Sequence, residues 1–335
     1  MKSNAYGHGA LPVANAMLEA GADYLAVACL SEAETLRAGG VSAPILILGV
    51  TPALFAGELE ELRLTQTVGS LSYARELSER VRGELKVHLK LDTGMGRLGF
   101  SVPDERQMRE MEEAVRTPRL NFEGVLTHFA VSDCPGDGFT GEQYRRFTQA
   151  ADRAESAMGR RFEIRHCANS GAVINYKHMA MDMVRPGLIA YGMYPAAERG
   201  GLSLLPALEL KSRVYAITEH GGGETVGYGR TCALTAPARL AVVPIGYGDG
   251  LHRVLSGKID MLIRGRRCPQ VGRICMDMCM VDISALPECA EGDVVTIIGR
   301  DGDEQILAGE LAEKAGTINY EMTCAITARV PRIYI

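Results

Sequence analysis

The chain has 335 residues, 47% of them hydrophobic and 23% charged, with a formal net charge of -5. That length buries one large core plus a smaller one, so one big domain or two are the expected counts. The negative balance offers no basic field to nucleic acid or an anionic membrane, and no apolar run reaches the length of a membrane span.

In chain order the first element is KSNAYGHG, where Lys2 precedes Tyr6 by four residues and Gly7-His8-Gly9 follow. An amine, a phenol and two glycines set this close suit a phosphorylated aldehyde cofactor. The amine would form an imine, the phenol would reach the phosphate, and the glycines would let backbone approach the ligand. From there to about residue 200, short apolar runs alternate with helical patterns, as in parallel βα units. The runs are 24–30, 45–49, 65–68, 85–91, 122–128, 162–167 and 183–190. Two helices stand out between them. SEAETLRAGG reads as a helix with a Ser31–Glu34 capping box and a Gly39-Gly40 stop, and GEQYRRFTQAADRAESAM reads as a longer one. Seven strands are expected, where a closed β/α barrel needs eight.

From about Pro206 the texture changes to period-two runs such as SRVYAI, RLAVVPIGY, IDMLIRG, MCMVDI and DVVTIIG, separated by Gly-rich turns. These predict an antiparallel β domain interrupted by one short helix near residues 308–314. The expected division is therefore 1–205 for the barrel and 206–335 for the β domain. The nine cysteines are odd in number and scattered. Cys275 and Cys279 form the one close pair, and a strand through GRICMDMCMVDI would turn both to one face as small apolar residues. No CxxC pair with partner ligands exists, so the expectation is no metal site, buried free thiols and a cytoplasmic setting.

Barrel enzymes carry their chemistry where strands end, so the polar residues after each apolar run matter most. These are Lys90 and Arg97, His128 and Asp133, His166 with Asn169 and Ser170, and Arg185 with Gly187. Each has an ordinary reading as well: a solvated lysine, a packing histidine, a surface-paired arginine, or a serine that merely caps a helix. GMGRLG (94–99) fits the dinucleotide pattern GxGxxG. Its glycines do not lead straight into a helix, which begins only near Pro103, so that reading fails.

Taken together, KSNAYGHG, LDTGMGRLG, THFAxSD, HxANSG, VRPGxxxYG, GYGRT, GYGDGxxR, GRICMD and TINYE through RVPRIY resemble the alanine racemase family over nearly the whole chain. The resemblance implies a TIM-type (β/α)8 barrel followed by a mainly antiparallel C-terminal β domain, and an enzyme dependent on pyridoxal 5'-phosphate. It implies that Lys2 is the Schiff-base lysine, with Tyr6, Ser170, Gly187, Leu188 and Tyr320 around the phosphate. Arg185 would face the pyridine nitrogen with His166 behind it. Lys2 and Tyr228 would be the two bases, and His128 would be the neighbour of Tyr228. Tyr228 would come from the other subunit of a homodimer with shared active sites. Arg97 would contact the substrate carboxylate and the cofactor's phenolic oxygen, oriented by a carbamylated Lys90. Met276 and Asp277 would complete the carboxylate side, and Asp133, Tyr247, Arg253 and Tyr320 would line a narrow access corridor.

The implied activity is interconversion of L- and D-alanine, the D form feeding peptidoglycan. A serine racemase of the vancomycin-resistance type is an alternative, and a non-catalytic cofactor-binding protein is another. One departure is visible: in the family a strand precedes the lysine, and here only Met1 does. The expectation is an open barrel seam with Lys2 on a loosely held end. A misassigned start, a fragment or a truncated form would each produce it, and a natural protein longer than this chain is the preferred reading.

Overall fold

In the computed structural model, which describes residues 1–195 and 201–335, the chain forms two compact units. The first unit comprises Met1–Ala5, Ala10–Ala190 and Tyr194–Leu204. Tyr6–Gly9 and Tyr191–Met193 group with Leu205–Ile335 in the second.

The first unit is built on β1 (Leu25–Val27), β2 (Ile45–Ile47), β3 (Thr65–Val68), β4 (Leu85–Asp92), β5 (Phe100–Ser101), β6 (Leu120–Leu126) and β7 (Ile164–His166). They pair in parallel in the order β1-β2-β3-β4-β6-β7, with β5 on β4. Helices follow most strands, as parallel pairing requires of its crossovers. The strands are short, and nearly every residue in them is buried because helices cover the sheet. Helix Phe139–Met158 buries Thr140, Gln143, Phe147, Ala151 and Ala154, a stripe spaced by three and four residues that faces the sheet. Full burial of a side chain such as Phe147 is worth about 1.5–3 kcal/mol. Gly159 closes the helix at φ 73, a conformation that costs glycine nothing.

Two expectations for this unit need correction. The run 183–190 forms no strand. Pro186 has no N–H to give a ladder, and the Leu188 N–H bonds the Ser170 hydroxyl at 2.9 Å instead. Among the described residues six strands follow one another along the sheet, and no ladder joins β7 back to β1. The Ser31–Glu34 capping box does not form either. Helix Leu30–Ala38 starts two residues earlier than that box needs, with Cys29 at the cap, so the third helical position falls on Glu32. Glu32 Oε2 accepts the Ala28 N–H at 2.7 Å, a reach back across the helix start that Glu34 was expected to make.

The second unit is an antiparallel sheet. It contains β8 (Leu210–Arg213), β9 (Ala216–His220), β12 (Ala238–Val243), β13 (Asp260–Ile263), β14 (Arg266–Val271), β15 (Cys279–Asp282), β16 (Val294–Asp301) and β17 (Glu304–Ile306). The order is β17-β16-β13-β14-β15-β12-β9, with β8 on β16, and a separate hairpin joins β10 (Thr225–Val226) to β11 (Cys232–Ala233). SRVYAI is thus not one strand: β8 pairs with β16 while β9 pairs with β12. Cys275 lies in the turn before β15, its N–H bonded to Met278 O at 2.9 Å, so only Cys279 is a buried strand residue. Cys29, Cys134 and Cys324 are exposed, contrary to the expectation of buried thiols, because they sit at a helix start, in a loop and on a helix surface. No group of three or more potential metal ligands occurs among the described residues, and no described helix is long and apolar enough to cross a membrane.

Candidate active site

The expected loose hold on Lys2 does not occur. The Met1 amine donates to Ala26 O in β1 at 2.7 Å, and the Ser3 N–H donates to Glu32 Oε1. Glu32 therefore ties the N-terminal segment and the start of its own helix to one carboxylate. Ser3, Asn4, Ala5 and Tyr6 all have φ between 53 and 55, a left-handed turn closed by Ala5 N–H to Met1 O at 2.8 Å. Such backbone costs L-residues roughly 1–2 kcal/mol each. Four in a row persist because the surroundings hold them: Asn4 Oδ1, for one, accepts the Ala10 N–H at 2.7 Å.

Around the strand ends of the same unit, Arg185 is the hub. Its Nη1 donates to His166 Nδ1 at 2.7 Å and its Nη2 to Thr127 O at 2.7 Å, with His128 Nδ1 at 3.4 Å from Nη2. Burial pulls the guanidinium down to about 10, which still leaves it charged at neutral pH. Burial pushes His128 down to about 3, reinforced by the positive charges of Arg185, Arg97, Lys90 and Lys2. Burial also lowers His166 well below its ordinary value, and it lowers His88, which hydrogen-bonds His166 at 2.8 Å. Burial also brings Lys90 down to about 8, Asp92 opposing the shift and Arg185 and Arg97 adding to it. An amine at that value is partly neutral near pH 7 and so partly nucleophilic.

These histidines make folding pH-dependent. Each is held neutral in the fold, whereas in the unfolded chain each protonates near pH 6.5. Below that pH the unfolded state binds more protons, so stability is complete above about 6.5 and is lost as pH falls toward the folded values. Each site contributes at most about 1.4 kcal/mol per pH unit. We expect the urea midpoint to drop clearly between pH 7.5 and 5, before most carboxylates titrate. An unchanged midpoint would mean the three imidazoles are not neutral in the fold.

The LDTGMGRLG loop is organised around its own carboxylate. Asp92 Oδ1 accepts from the N–H groups of Gly94, Met95 and Gly96 at 2.9, 2.8 and 3.1 Å, and Oδ2 from Arg97 at 3.0 Å. Partial burial opposes ionisation, but these backbone donors prevail and hold the Asp92 pKa low. The glycine loop therefore has no vacant nest for a phosphate, which gives a physical reason for the failed dinucleotide pattern. What it does is bring Arg97 close enough for its charge to act on Lys90 and His128.

The ordinary reading of Ser170, a serine that merely caps a helix, does not hold. Asn169 caps the helix Ser170–Asn175 through Oδ1, leaving the buried Ser170 hydroxyl to accept from Leu188 N at 2.9 Å. Leu188 thus orients the serine through its backbone, and the serine's own proton remains to donate. Gly187 sits in the same turn, its N–H on Arg185 O at 2.9 Å. Asp133 is half-buried in the loop after β6.

In the second unit, the Tyr6 ring stands 5.6 Å from Tyr320 and 5.0 Å from Tyr191, centroid to centroid. Burial raises Tyr6 to about 12, helped by Tyr320 and Cys324, so it is a hydrogen-bond donor at any working pH. Tyr228 stands on a turn after β10 between Gly227 and Gly229, both at positive φ, with its side chain 71% exposed. Tyr247 and Arg253 line one cleft of about 330 Å³. Asp277 pairs with Arg329 at 2.8 Å, and neighbouring Met276 is exposed. The structure thus gathers Lys90, Arg97, His128, His166 and Arg185 in one cluster, Ser170, Gly187 and Leu188 in one turn, and Tyr6 with Tyr320. His88, Glu32 and Tyr191 were missed. His88 was findable, since it lies two residues before Lys90 on one strand and shares its face.

Residues 1–195 match the family model described as the N-terminal domain of alanine racemase, and 207–334 that of its C-terminal domain. "Alanine racemase 2" of Caldanaerobacter subterraneus subsp. tengcongensis is 43% identical over all of this chain and 87% of its own length. The alanine racemase of Clostridium perfringens strain ATCC 13124 is 42% identical with the same coverage. Among solved structures, alanine racemase from Bacillus anthracis with bound L-Ala-P superposes with a TM-score of 0.93 at 38% identity. It covers 100% of this chain and 86% of that one. The enzyme from D-cycloserine-producing Streptomyces lavendulae also gives 0.93, at 35% identity, covering 100% and 89%. Neither the serine racemase reading nor the non-catalytic reading gains support from these matches.

Proposed function

This chain belongs to the alanine racemase family, and on that premise we propose that it interconverts L- and D-alanine with pyridoxal 5'-phosphate. Arg185 carries the reading. A charged, buried guanidinium, braced by His166 and a backbone carbonyl, suits the pyridine nitrogen. The donors suit the phosphate: the Ser170 hydroxyl, oriented by Leu188, beside Gly187, with the neutral phenol of Tyr6 next to Tyr320. When bound, pyridoxal phosphate draws electrons from the α-carbon of an amino acid and acidifies its hydrogen. Arg185 only donates, so it cannot keep a proton of its own on a facing nitrogen. Electron withdrawal then stays modest, which suits proton removal and return over transamination or decarboxylation.

Inversion needs acid–base groups on both faces of the α-carbon. Lys2, which would anchor the cofactor, serves one face. Tyr228 of a second copy serves the other, making the homodimer the catalytic unit, and its exposed perch between two glycines suits delivery to another surface. Because His128 turns Nδ1 toward the donor Arg185, its proton lies on Nε2, where it can donate to the Tyr228 oxygen and favour the phenolate. We assign Arg97, Met276 and Asp277 to the substrate carboxylate. The partly neutral Lys90 is suited to carbamylation, which would give Arg97 an anionic partner. We also assign Asp133, Tyr247, Arg253 and Tyr320 to the access route, as the family resemblance implies. We assign residues 1–205 to the cofactor barrel and 206–335 to the domain that carries Tyr228. The setting we infer is the cytoplasm, where nine free cysteines persist and D-alanine enters peptidoglycan precursors.

Initial rates of the purified protein on L-alanine and L-serine with added pyridoxal phosphate test this. Alanine is expected to be the better substrate, and a preference for serine or no turnover of either would overturn the proposal.

A further inference from the structure

Behind Arg185 a chain of buried groups runs down through the first unit. His166 Nδ1 meets Arg185 Nη1 at 2.7 Å, and His166 Nε2 meets His88 Nδ1 at 2.8 Å. His88 Nε2 lies 3.6 Å from Oε1 of Glu123, too long for a hydrogen bond, and makes no hydrogen bond among the described residues, so the carboxylate faces it as a charge. His166 and His88 are fully buried, and Glu123 is only 3% exposed.

The chemistry of the two ends fixes the direction of every bond between them. An arginine can only donate, so His166 Nδ1 accepts and the His166 proton lies on Nε2. That nitrogen donates to His88 Nδ1, which places the His88 proton on Nε2, facing the carboxylate. An ionised carboxylate can only accept, and Glu123 is ionised. Burial opposes this, but Lys86 and His88 hold its pKa at about 2. Both imidazoles are therefore neutral, carry the same tautomer and point the same way.

The fold is shaped around this chain. The register between β4 and β6 shifts so that Val87 faces Phe122 while His88 faces Gly124, leaving Glu123 as an extra residue on β6. A Cβ on Gly124 would lie 2.5 Å from His88 Nε2, so the absent side chain makes room for the ring. Glu123 is held from other strands as well. Lys86 Nζ approaches Oε2 at 2.6 Å, and the Tyr24 hydroxyl and Thr65 Oγ1 donate to Oε1 at 3.2 and 3.4 Å. An acid this buried is thus held from two strands and from the segment before β1, its burial offset by these donors, and it is aimed at one imidazole.

We propose that Glu123, acting through His88 and His166, fixes the hydrogen-bond direction and aim of Arg185, and so is a remote positioning residue for racemisation. This rests on the reading of Arg185 as the partner of the pyridine nitrogen. Without the carboxylate, no negative charge faces the His88 N–H, and the bias against the other tautomer is lost. That tautomer sets an N–H against the N–H of His166, and Arg185 loses its acceptor when His166 turns.

The test is long-range proton–nitrogen spectroscopy of the full chain labelled with nitrogen-15 histidine, with and without cofactor, for wild type, Glu123→Gln and Glu123→Leu. Wild type and Glu123→Gln, which keeps a partly negative oxygen, are expected to show His88 and His166 as Nε2–H tautomers. Glu123→Leu is expected to show mixed tautomers and a kcat lowered roughly ten- to a hundredfold with KM within about twofold. A wild-type spectrum with Nδ1–H at either ring overturns the proposal, and this reading stands even if Glu123→Leu does not fold. So do unchanged tautomers in a folded Glu123→Leu. A Leu variant with scrambled tautomers and wild-type turnover overturns instead the assignment of Arg185 to the reaction, leaving the direction of the relay standing.

Discussion

Tyr228→Phe is expected to lower removal of the α-proton from L-alanine by roughly 10²–10⁴-fold while leaving cofactor attachment intact. The substitution deletes one oxygen from a ring that is 71% exposed, so folding has little reason to change. The effect turns on ionisation. A tyrosine left alone has a pKa of about 10 and is a poor base at neutral pH. His128 changes that only as a neutral donor, and burial together with four nearby cations keeps it neutral down to a pKa of about 3. Exchange of the α-hydrogen in deuterated water, followed separately from L- and D-alanine, is the measurement. Loss confined to the L enantiomer supports the two-base arrangement, whereas exchange at the wild-type rate from both would rule Tyr228 out.

Lys2→Ala is expected to be the more severe change, removing what we propose to be both the covalent anchor and the base on the opposite face. Racemisation should fall by about 10⁴-fold or more. Borohydride reduction followed by peptide mass analysis should find pyridoxyl phosphate on the N-terminal peptide of the wild type and on no peptide of the variant. The left-handed turn from Ser3 to Tyr6 is held by contacts from Ala26, Glu32 and Asn4 that do not involve the Lys2 amine, so the backbone should keep its course. Label at a different lysine in the wild type would show that the anchor had been misassigned.

Much of this arrangement was legible from residue order because local rules and tertiary structure agree. The alternation of apolar runs and helical stripes gave the parallel sheet, and period-two runs with Gly-rich turns gave the antiparallel one. The failures occurred where one residue overrode a pattern. Residues 183–190 look like a strand, yet Pro186 cannot join a ladder and Ser170 captures the next available N–H. Ser31 and Glu34 have capping-box spacing, yet the helix starts at Leu30, so Glu32 falls at the position that reaches back. Glu123 was invisible for a different reason. In NFEGVL it reads as the polar member of an alternating strand, and only a one-residue shift in register turns it inward. Such shifts depend on the partner strand, which no window of neighbouring residues contains.

The left-handed turn also limits which substitutions the N-terminal segment can accept. Residues 3–6 occupy a region of backbone space that β-branched side chains essentially cannot enter and that amide-bearing ones tolerate. Of these residues only Asn4 is a kind that enters it readily; Ser3 and Ala5 bear the ordinary cost, and Tyr6 is kept there at a cost its phenol would justify by reaching the phosphate. Drift at these four positions is thus restricted by handedness before hydrophobicity or charge enters, and a valine or isoleucine would be rejected even where the space around it is open.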